Sequence, residues 1–211
     1  MHKSLAIAAS LALLLGVRAH AATTLTATLT NSQEPGNIAP TTTAGVPRVS
    51  SGLATFVIND AQTAMTMSVT VQGIDLTGSQ SADTNDNLGN AHIHASSTPF
   101  TPPAGVGVVW GFFGSPFNDN NPNDQTVTPF ATGVGGTITG KWDLNEGNNT
   151  TFSAQLPNIL AGRSYINFHT TQFPGGELRG AIVPEPTSGL ALLGALAVLG
   201  LRITRRRAPK A

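Results

Sequence analysis

Residues 52–72 read GLATFVINDAQTAMTMSVTVQ, two alternating apolar stretches on either side of a short polar segment. Within Gly52–Asn59 and Ala64–Gln72, apolar and small polar side chains alternate, which is typical of strands with one buried face. The segment Asp60–Thr63 has the length and composition of a hairpin turn. The stretch therefore predicts two neighbouring antiparallel strands.

Short β-rich stretches recur on both sides of this hairpin, between segments rich in glycine, proline and asparagine. The further predicted strands are Thr24–Leu29, Ala91–Ala95, Val106–Phe113, Gly136–Leu144, Thr150–Leu156, Arg163–Thr170 and Glu177–Val183. Leu156–Ala161 is long enough for one helical turn, and Asn31–Ser51 and Ser115–Gly136 are predicted loops. We expect an all-β fold over residues 22–183, a single antiparallel β-sandwich with Greek-key-like connections.

The first 21 residues have the features of a secretory signal peptide. His2 and Lys3 precede the apolar run Leu5–Val17, and Ala19–Ala21 has the small-x-small form of a cleavage site. The apolar run is too short to span a membrane as a helix. We therefore expect export of the chain, with cleavage after Ala21.

The last 28 residues combine a rigid tripeptide, an apolar segment and a basic tail. The tripeptide Pro184-Glu185-Pro186 can join neither a helix interior nor a central strand, because proline fixes φ and lacks an amide donor. The apolar run Gly189–Leu201 comes next. It is followed by the basic residues Arg202, Arg205, Arg206, Arg207 and Lys210, which are expected to stay on the cytoplasmic side of a membrane. The arrangement resembles the PEP-CTERM sorting signal of Gram-negative bacteria.

This resemblance implies transient retention in the inner membrane, processing by an exosortase-type enzyme, and a final location at the cell surface or outside the cell. Residues 187–203 would form a helix of roughly 25 Å, against a hydrocarbon core of about 30 Å. Such a marginal span suits a temporary anchor. The alternative is an inner-membrane protein that the C-terminal helix holds permanently.

The charge of the central segment restricts its partners. Residues 22–183 carry four basic and ten acidic side chains, a net charge of about −6, although the whole chain is neutral. Nucleic-acid binding needs clustered lysine and arginine, so we expect no nucleic-acid partner. The chain has no cysteine, which excludes disulfides, thiol chemistry and cysteine metal ligands.

Three histidines lie between the two terminal segments. His92 and His94 are two residues apart on a predicted strand, so they share a face. The second and fourth residues of the strand YINFH are predicted to face the core. His169, which ends this strand, would then lie on the opposite face together with Tyr165 and Asn167.

These histidine segments also carry a family resemblance. The motifs are Ala91–His94 (AHIH), Gly162–Thr170 (GRSYINFHT) and Pro174–Gly180 (PGGELRG). Together they resemble the CHRD domain, which is named from chordin and is widespread in bacterial exported proteins; the resemblance covers roughly Ala22–Val183. The glycine that usually follows HIH is Ala95 in this chain. The resemblance implies a β-rich fold without a settled enzymatic activity.

The histidines allow two interpretations. His92, His94 and His169 could bind copper or zinc, with Glu177 as a fourth ligand or as a residue that orients a ligand. Alternatively, the histidines and Asn167 form hydrogen bonds with loop backbone, while Glu177 and Arg179 form an ion pair that closes the sandwich.

We therefore expect a noncatalytic protein of the cell surface or extracellular matrix, without a cofactor. From the sorting signal, we expect exopolysaccharide or another envelope polymer as its partner. Trp110 and Trp142 lie in apolar runs and are predicted to be core residues rather than sugar-stacking residues. The competing class is an exported copper- or zinc-binding protein with redox activity.

Overall fold

The computed structural model describes residues 21–36, 38–99 and 105–185. Apart from Ala21, the predicted signal peptide lies outside the described residues, as do Pro186 and the rest of the predicted sorting segment. Within the described part of the chain, no helix is long and apolar enough to cross a membrane.

The described residues form ten strands and one α-helix. The strands are β1 (Thr23–Thr30), β2 (Ser51–Ile58), β3 (Ala64–Gln72), β4 (Leu88–Ala95), β5 (Val108–Phe113), β6 (Thr126–Pro129), β7 (Gly135–Asp143), β8 (Ser164–Thr170), β9 (Leu178–Ala181) and β10 (Val183–Pro184). The helix α1 spans Phe152–Leu160, and a 3-10 turn at Asn31–Gln33 follows β1.

All strand pairs are antiparallel, in the order β5-β4-β8-β9-β1-β2-β3-β7-β6, with β10 added to β1. The prediction of a mostly β, antiparallel fold is therefore confirmed. The hairpin predicted at residues 52–72 is the β2–β3 pair, in which Ile58 lies opposite Met65 and Gly52 opposite Val71. Instead of two separate sheets, however, the strands form one continuous curled sheet.

Two tryptophans show how the sheet curls. Trp110 lies on β5, at one end of the strand order, and Trp142 lies on β7, close to the other end. Their rings are nevertheless stacked, with centroids 5.5 Å apart and planes at 6°. Both side chains are completely buried, as predicted, and the two ends of the sheet thus pack against a shared core.

Alternation along the strands places one face of the sheet in this core. In β2 and β3, every second side chain is buried, including Phe56, Met65 and Val69. Burial of each such side chain contributes about 1.5–3 kcal/mol relative to exposure. In β3, mostly threonine and serine lie between these buried side chains, whereas the outward positions of β2 also include the exposed Leu53.

The predicted strand Thr150–Leu156 is wrong. Thr151 is the N-cap of α1, and its hydroxyl accepts a hydrogen bond from the Ala154 N–H at 3.3 Å. Phe152 and Ile159, seven residues apart, are both buried against the sheet. The cap and the helical spacing of the apolar residues override the β-branched composition that suggested a strand.

The predicted loop Ser115–Gly136 contains the short strand β6, which pairs with β7. Its side chains are mostly exposed, so the segment shows little apolar alternation in the sequence. The predicted strand Glu177–Val183 is divided into β9 and β10, with Glu177 just before β9.

Candidate metal centre

Strands β4 and β8 bring the three histidines together. In their antiparallel register, His92 lies opposite Asn167, and His94 lies opposite Tyr165. His169 is two residues beyond Asn167 and therefore projects from the same face. This face is opposite the apolar core, as predicted. His92 and His94 are buried, and His169 is half-buried.

One nitrogen of each imidazole faces the other two rings. The three potential ligand atoms all lie within 4.8 Å of one another. His92 Nδ1 and His169 Nε2 are 3.3 Å apart. Two imidazole ligands of a tetrahedral zinc ion are separated by about 3.3–3.4 Å, given Zn–N bonds of 2.0–2.1 Å. The closest pair thus already has the spacing of two ligands on one ion.

The outer nitrogen of each ring is held by the backbone. His92 Nε2 lies 3.0 Å from the Ser115 carbonyl oxygen, His94 Nδ1 lies 2.8 Å from that of Val106, and His169 Nδ1 lies 2.9 Å from that of Pro174. A carbonyl oxygen can only accept, so each of these nitrogens carries the hydrogen. In the neutral rings, the inner nitrogens therefore present lone pairs to one another.

Burial keeps protons away from these lone pairs. It lowers the pKa of His92 to about 4, aided by the charge of His169, and lowers the pKa of His94 to about 4. Burial also lowers the pKa of His169. Near neutral pH the cluster is consequently unprotonated, and His94 Nε2 has no hydrogen-bond partner among the described residues. A metal cation with three imidazole ligands requires three unprotonated ring nitrogens whose lone pairs converge, and the inner nitrogens of this cluster have that arrangement.

Tyr165 fixes the third imidazole. Its ring is stacked on His94, with centroids 4.5 Å apart and planes at 9°. The Val106 N–H donates to the Tyr165 hydroxyl at 3.2 Å, while the Val106 carbonyl accepts from His94. The guanidinium of Arg179 also packs on Tyr165, with its central carbon 4.0 Å from the centroid of the tyrosine ring. The alternation of the predicted strand put Tyr165 on this face, but nothing in the sequence indicated that its ring stacks on His94.

Among the described residues, the cluster consists of the three histidines, and Glu177 lies outside it. Its carboxylate is fully buried and forms an ion pair with Arg48, a residue of the predicted loop Asn31–Ser51. Arg179 pairs with Glu34 from the turn after β1, at 2.9 Å. The expected Glu177–Arg179 ion pair is therefore wrong, because the two side chains have different partners. Among the predicted ligands, the structure brings together His92, His94 and His169.

The expectation that the histidines bind loop backbone is confirmed for all three rings, but the sequence did not indicate which loops provide the carbonyls. The three acceptor carbonyls belong to segments next to β5 and β9, and a backbone carbonyl leaves no mark in the sequence. One indirect signal is Gly111, opposite His92 on β5: a Cβ there would lie 1.7 Å from the Pro116 oxygen. A glycine in an otherwise apolar strand indicates such a close backbone approach.

Comparison with family models gives a match to the CHRD domain over residues 25–182. Comparisons with curated proteins and with solved structures gave no match.

Proposed function

This chain belongs to the CHRD domain family, and on that premise we propose that it is an exported, noncatalytic surface protein whose CHRD domain binds one copper or zinc ion. The observation that carries this proposal is the convergence of the inner nitrogens of His92, His94 and His169 within 4.8 Å.

The second support is the hydrogen bonding behind the ligands. Histidines that bind metals almost always donate their other N–H to a carboxylate, a carbonyl or water, which fixes the tautomer and the ring orientation. All three imidazoles of the cluster make this contact with backbone carbonyls. The low pKa of His92 and His94 supports the same proposal, since protons compete weakly for the site.

The donor set favours copper and zinc over magnesium or calcium. Neutral imidazole nitrogens suit copper, zinc, iron and nickel, whereas magnesium and calcium prefer oxygen ligands. Among divalent ions, Cu²⁺ binds nitrogen sites more tightly than Zn²⁺. We expect both to bind, copper with the higher affinity.

Metal analysis of the purified full-length chain tests this proposal. After loading with Cu²⁺ or Zn²⁺ and dialysis, we expect close to one ion per chain. The His169→Asn variant, which changes the most exposed ligand, should keep the circular dichroism spectrum of the fold and lose most of the metal. A wild-type chain that retains no ion after loading would overturn the proposal.

For delivery, we propose that residues 1–21 are a signal peptide and residues 184–211 a PEP-CTERM signal, recognised by an exosortase-type enzyme. The exposure of Pro184 and Glu185 at the end of the domain supports access to the processing site. Mass spectrometry of the native protein should give a chain that begins at Ala22 and ends near Pro186. An intact C-terminus in the membrane fraction would instead indicate permanent anchoring by the C-terminal helix.

We propose an envelope polymer, such as exopolysaccharide, as the partner at the surface. This partner is inferred from the sorting-signal resemblance. Since Trp110 and Trp142 are buried, neither can stack on a sugar, so recognition would use the polar outer face of the sheet. Retention of the purified chain on exopolysaccharide from the producing cells, compared with an unrelated neutral polymer, tests it; equal elution from both would contradict it.

A further inference from the structure

Asn167 lies between the candidate metal ligands and a buried ion pair. On β8 it is directly opposite His92 of β4, and on its other side it is directly opposite Arg179 of β9. Directly opposed residues of antiparallel strands have Cβ atoms about 4.5–5.5 Å apart. His169, two residues along β8, shares the same face. Asn167 is 2% exposed, so water outside the protein does not solvate its amide.

The two ends of this amide have different surroundings. The Nδ2 atom lies on the side of Gly176, where an added Cβ would come within 2.9 Å of it. The Oδ1 atom is buried and has no hydrogen-bond partner among the described residues. A buried acceptor without a donor costs about 1–3 kcal/mol. His94 Nε2, on the same face, is another buried acceptor that has no hydrogen-bond partner among the described residues.

We infer that Asn167 Oδ1 accepts a hydrogen bond from a water molecule or hydroxide bound to the metal at its fourth position. The inference rests on the proposed metal site. Three imidazoles leave one position of a tetrahedral ion open, and a water molecule takes that position in zinc sites with three protein ligands. A metal-bound water is a strong donor, and its acceptor must lie beside the ligands, where the register places Asn167.

The role of Asn167 is positioning, since its amide acts through the bound water rather than on the ion. Residues that act behind the ligands typically change metal affinity by about 10- to 100-fold when they are replaced. The pKa of the bound water should also depend on which side chain occupies position 167. A carboxylate beside the ion favours the more positive aqua form and raises the pKa of the water, whereas an apolar side chain removes the acceptor that stabilises this form.

The experiment uses the full-length chain loaded with Co²⁺, whose visible absorption responds to ionisation of a bound water. Wild type, Asn167→Leu and Asn167→Asp are titrated with Co²⁺ and then with base. Asn145→Leu is the matched control, since Asn145 is exposed in the turn after β7. We expect Asn167→Leu to weaken Co²⁺ binding about tenfold or more and to lower the midpoint of the spectral change. Asn167→Asp should raise that midpoint, and Asn145→Leu should change neither quantity.

The outcomes separate this inference from the metal site itself. A wild-type chain that binds none of Co²⁺, Zn²⁺ and Cu²⁺ overturns both. A wild type that binds Co²⁺, with affinities and midpoints unchanged in both position-167 variants, overturns the role of Asn167 and leaves the three-histidine site in place. If Asn167→Leu does not fold, the nearly isosteric Asn167→Asp decides alone, since its midpoint either rises or stays at the wild-type value.

Discussion

The guanidinium of Arg48 and the carboxylate of Glu177 form a buried ion pair with two bonds, 2.6 Å from Nη1 to Oε1 and 2.5 Å from Nη2 to Oε2. The hydroxyls of Ser50 and Thr170 also donate to this carboxylate. Arg48 further donates to the Gly73 carbonyl. The pair therefore connects the loop before β2 to the start of β9, and the described contacts of the Glu177 carboxylate are with Arg48, Ser50 and Thr170.

Glu177→Gln should lower the free energy of unfolding by about 3–5 kcal/mol, because it leaves the buried charge of Arg48 without its counterion. It should leave the metal content unchanged. Urea unfolding and metal analysis of the same preparation measure the two effects. Asp124→Asn is the control: the Asp124–Lys141 pair is half-exposed, and its loss should cost about 1 kcal/mol or less. Loss of the metal from folded Glu177→Gln would return Glu177 to the ligand set.

The stability of the metal-free protein should fall as the pH decreases from 6.5 to 4. In this window, the unfolded chain binds protons at histidines with an ordinary pKa of 6.5, whereas the pKa of folded His92 and His94 is about 4. For each of these two histidines, the difference in pKa between the unfolded and the folded chain corresponds to a loss of roughly 3 kcal/mol in the free energy of unfolding. Urea unfolding at a series of pH values in EDTA measures it. His92→Gln should flatten the slope relative to wild type, and parallel slopes would argue against a neutral buried cluster.

Tyr165→Leu should weaken copper binding by about 10- to 100-fold, because it removes the ring that is stacked on His94 and the hydroxyl that accepts from Val106. Tyr165→Phe keeps the stack and should weaken binding much less. Competition titrations against a chelator of known affinity give both values. The electron paramagnetic resonance spectrum of Cu²⁺ should change in Tyr165→Leu. A folded Tyr165→Leu protein with wild-type affinity and spectrum would show that the stack does not orient His94.

Gly111→Ala should destabilise the fold by about 3 kcal/mol, since the added Cβ would clash with the backbone oxygen of Pro116. The displaced loop carries Ser115, whose carbonyl accepts from His92, so metal affinity should fall as well. Gly107→Ala is the control, since nothing lies within 4 Å of its added Cβ. Thermal unfolding followed by metal titration distinguishes the two substitutions. Equal stability of both variants would contradict the close approach at Gly111.

The parts of the fold that could be predicted from the sequence are those with local alternation. The β2–β3 hairpin and the shared face of His92 and His94 follow from a two-residue period alone. The joining of all strands into one sheet depends on pairings distant in sequence, such as β4 with β8 and β1 with β9. Composition does not encode these pairings, which is why a sandwich was predicted instead.

The candidate site shows the same division. The histidines could be identified as candidate ligands from their residue type and spacing. The partner of Glu177, in contrast, is 129 residues away in the sequence, in a loop without hydrophobic periodicity. A sequence neighbour two positions along the strand, Arg179, was the obvious candidate, but its guanidinium reaches Glu34 instead. Charge pairs across a sheet depend on the register and on the loops above it, and neither can be derived from spacing in one strand.

The pairing of β10 with β1 has a mechanical consequence. Leu25 lies opposite Pro184, and the Glu185 N–H donates to the Thr24 carbonyl at 3.1 Å, so the first and last strands of the domain end side by side. Tension applied through both ends would open this ladder one hydrogen bond at a time, in the manner of unzipping, instead of loading all bonds in shear. If the domain is held at one end only, no tension passes through the β1–β10 ladder. The strands that carry the three histidines would then keep their positions.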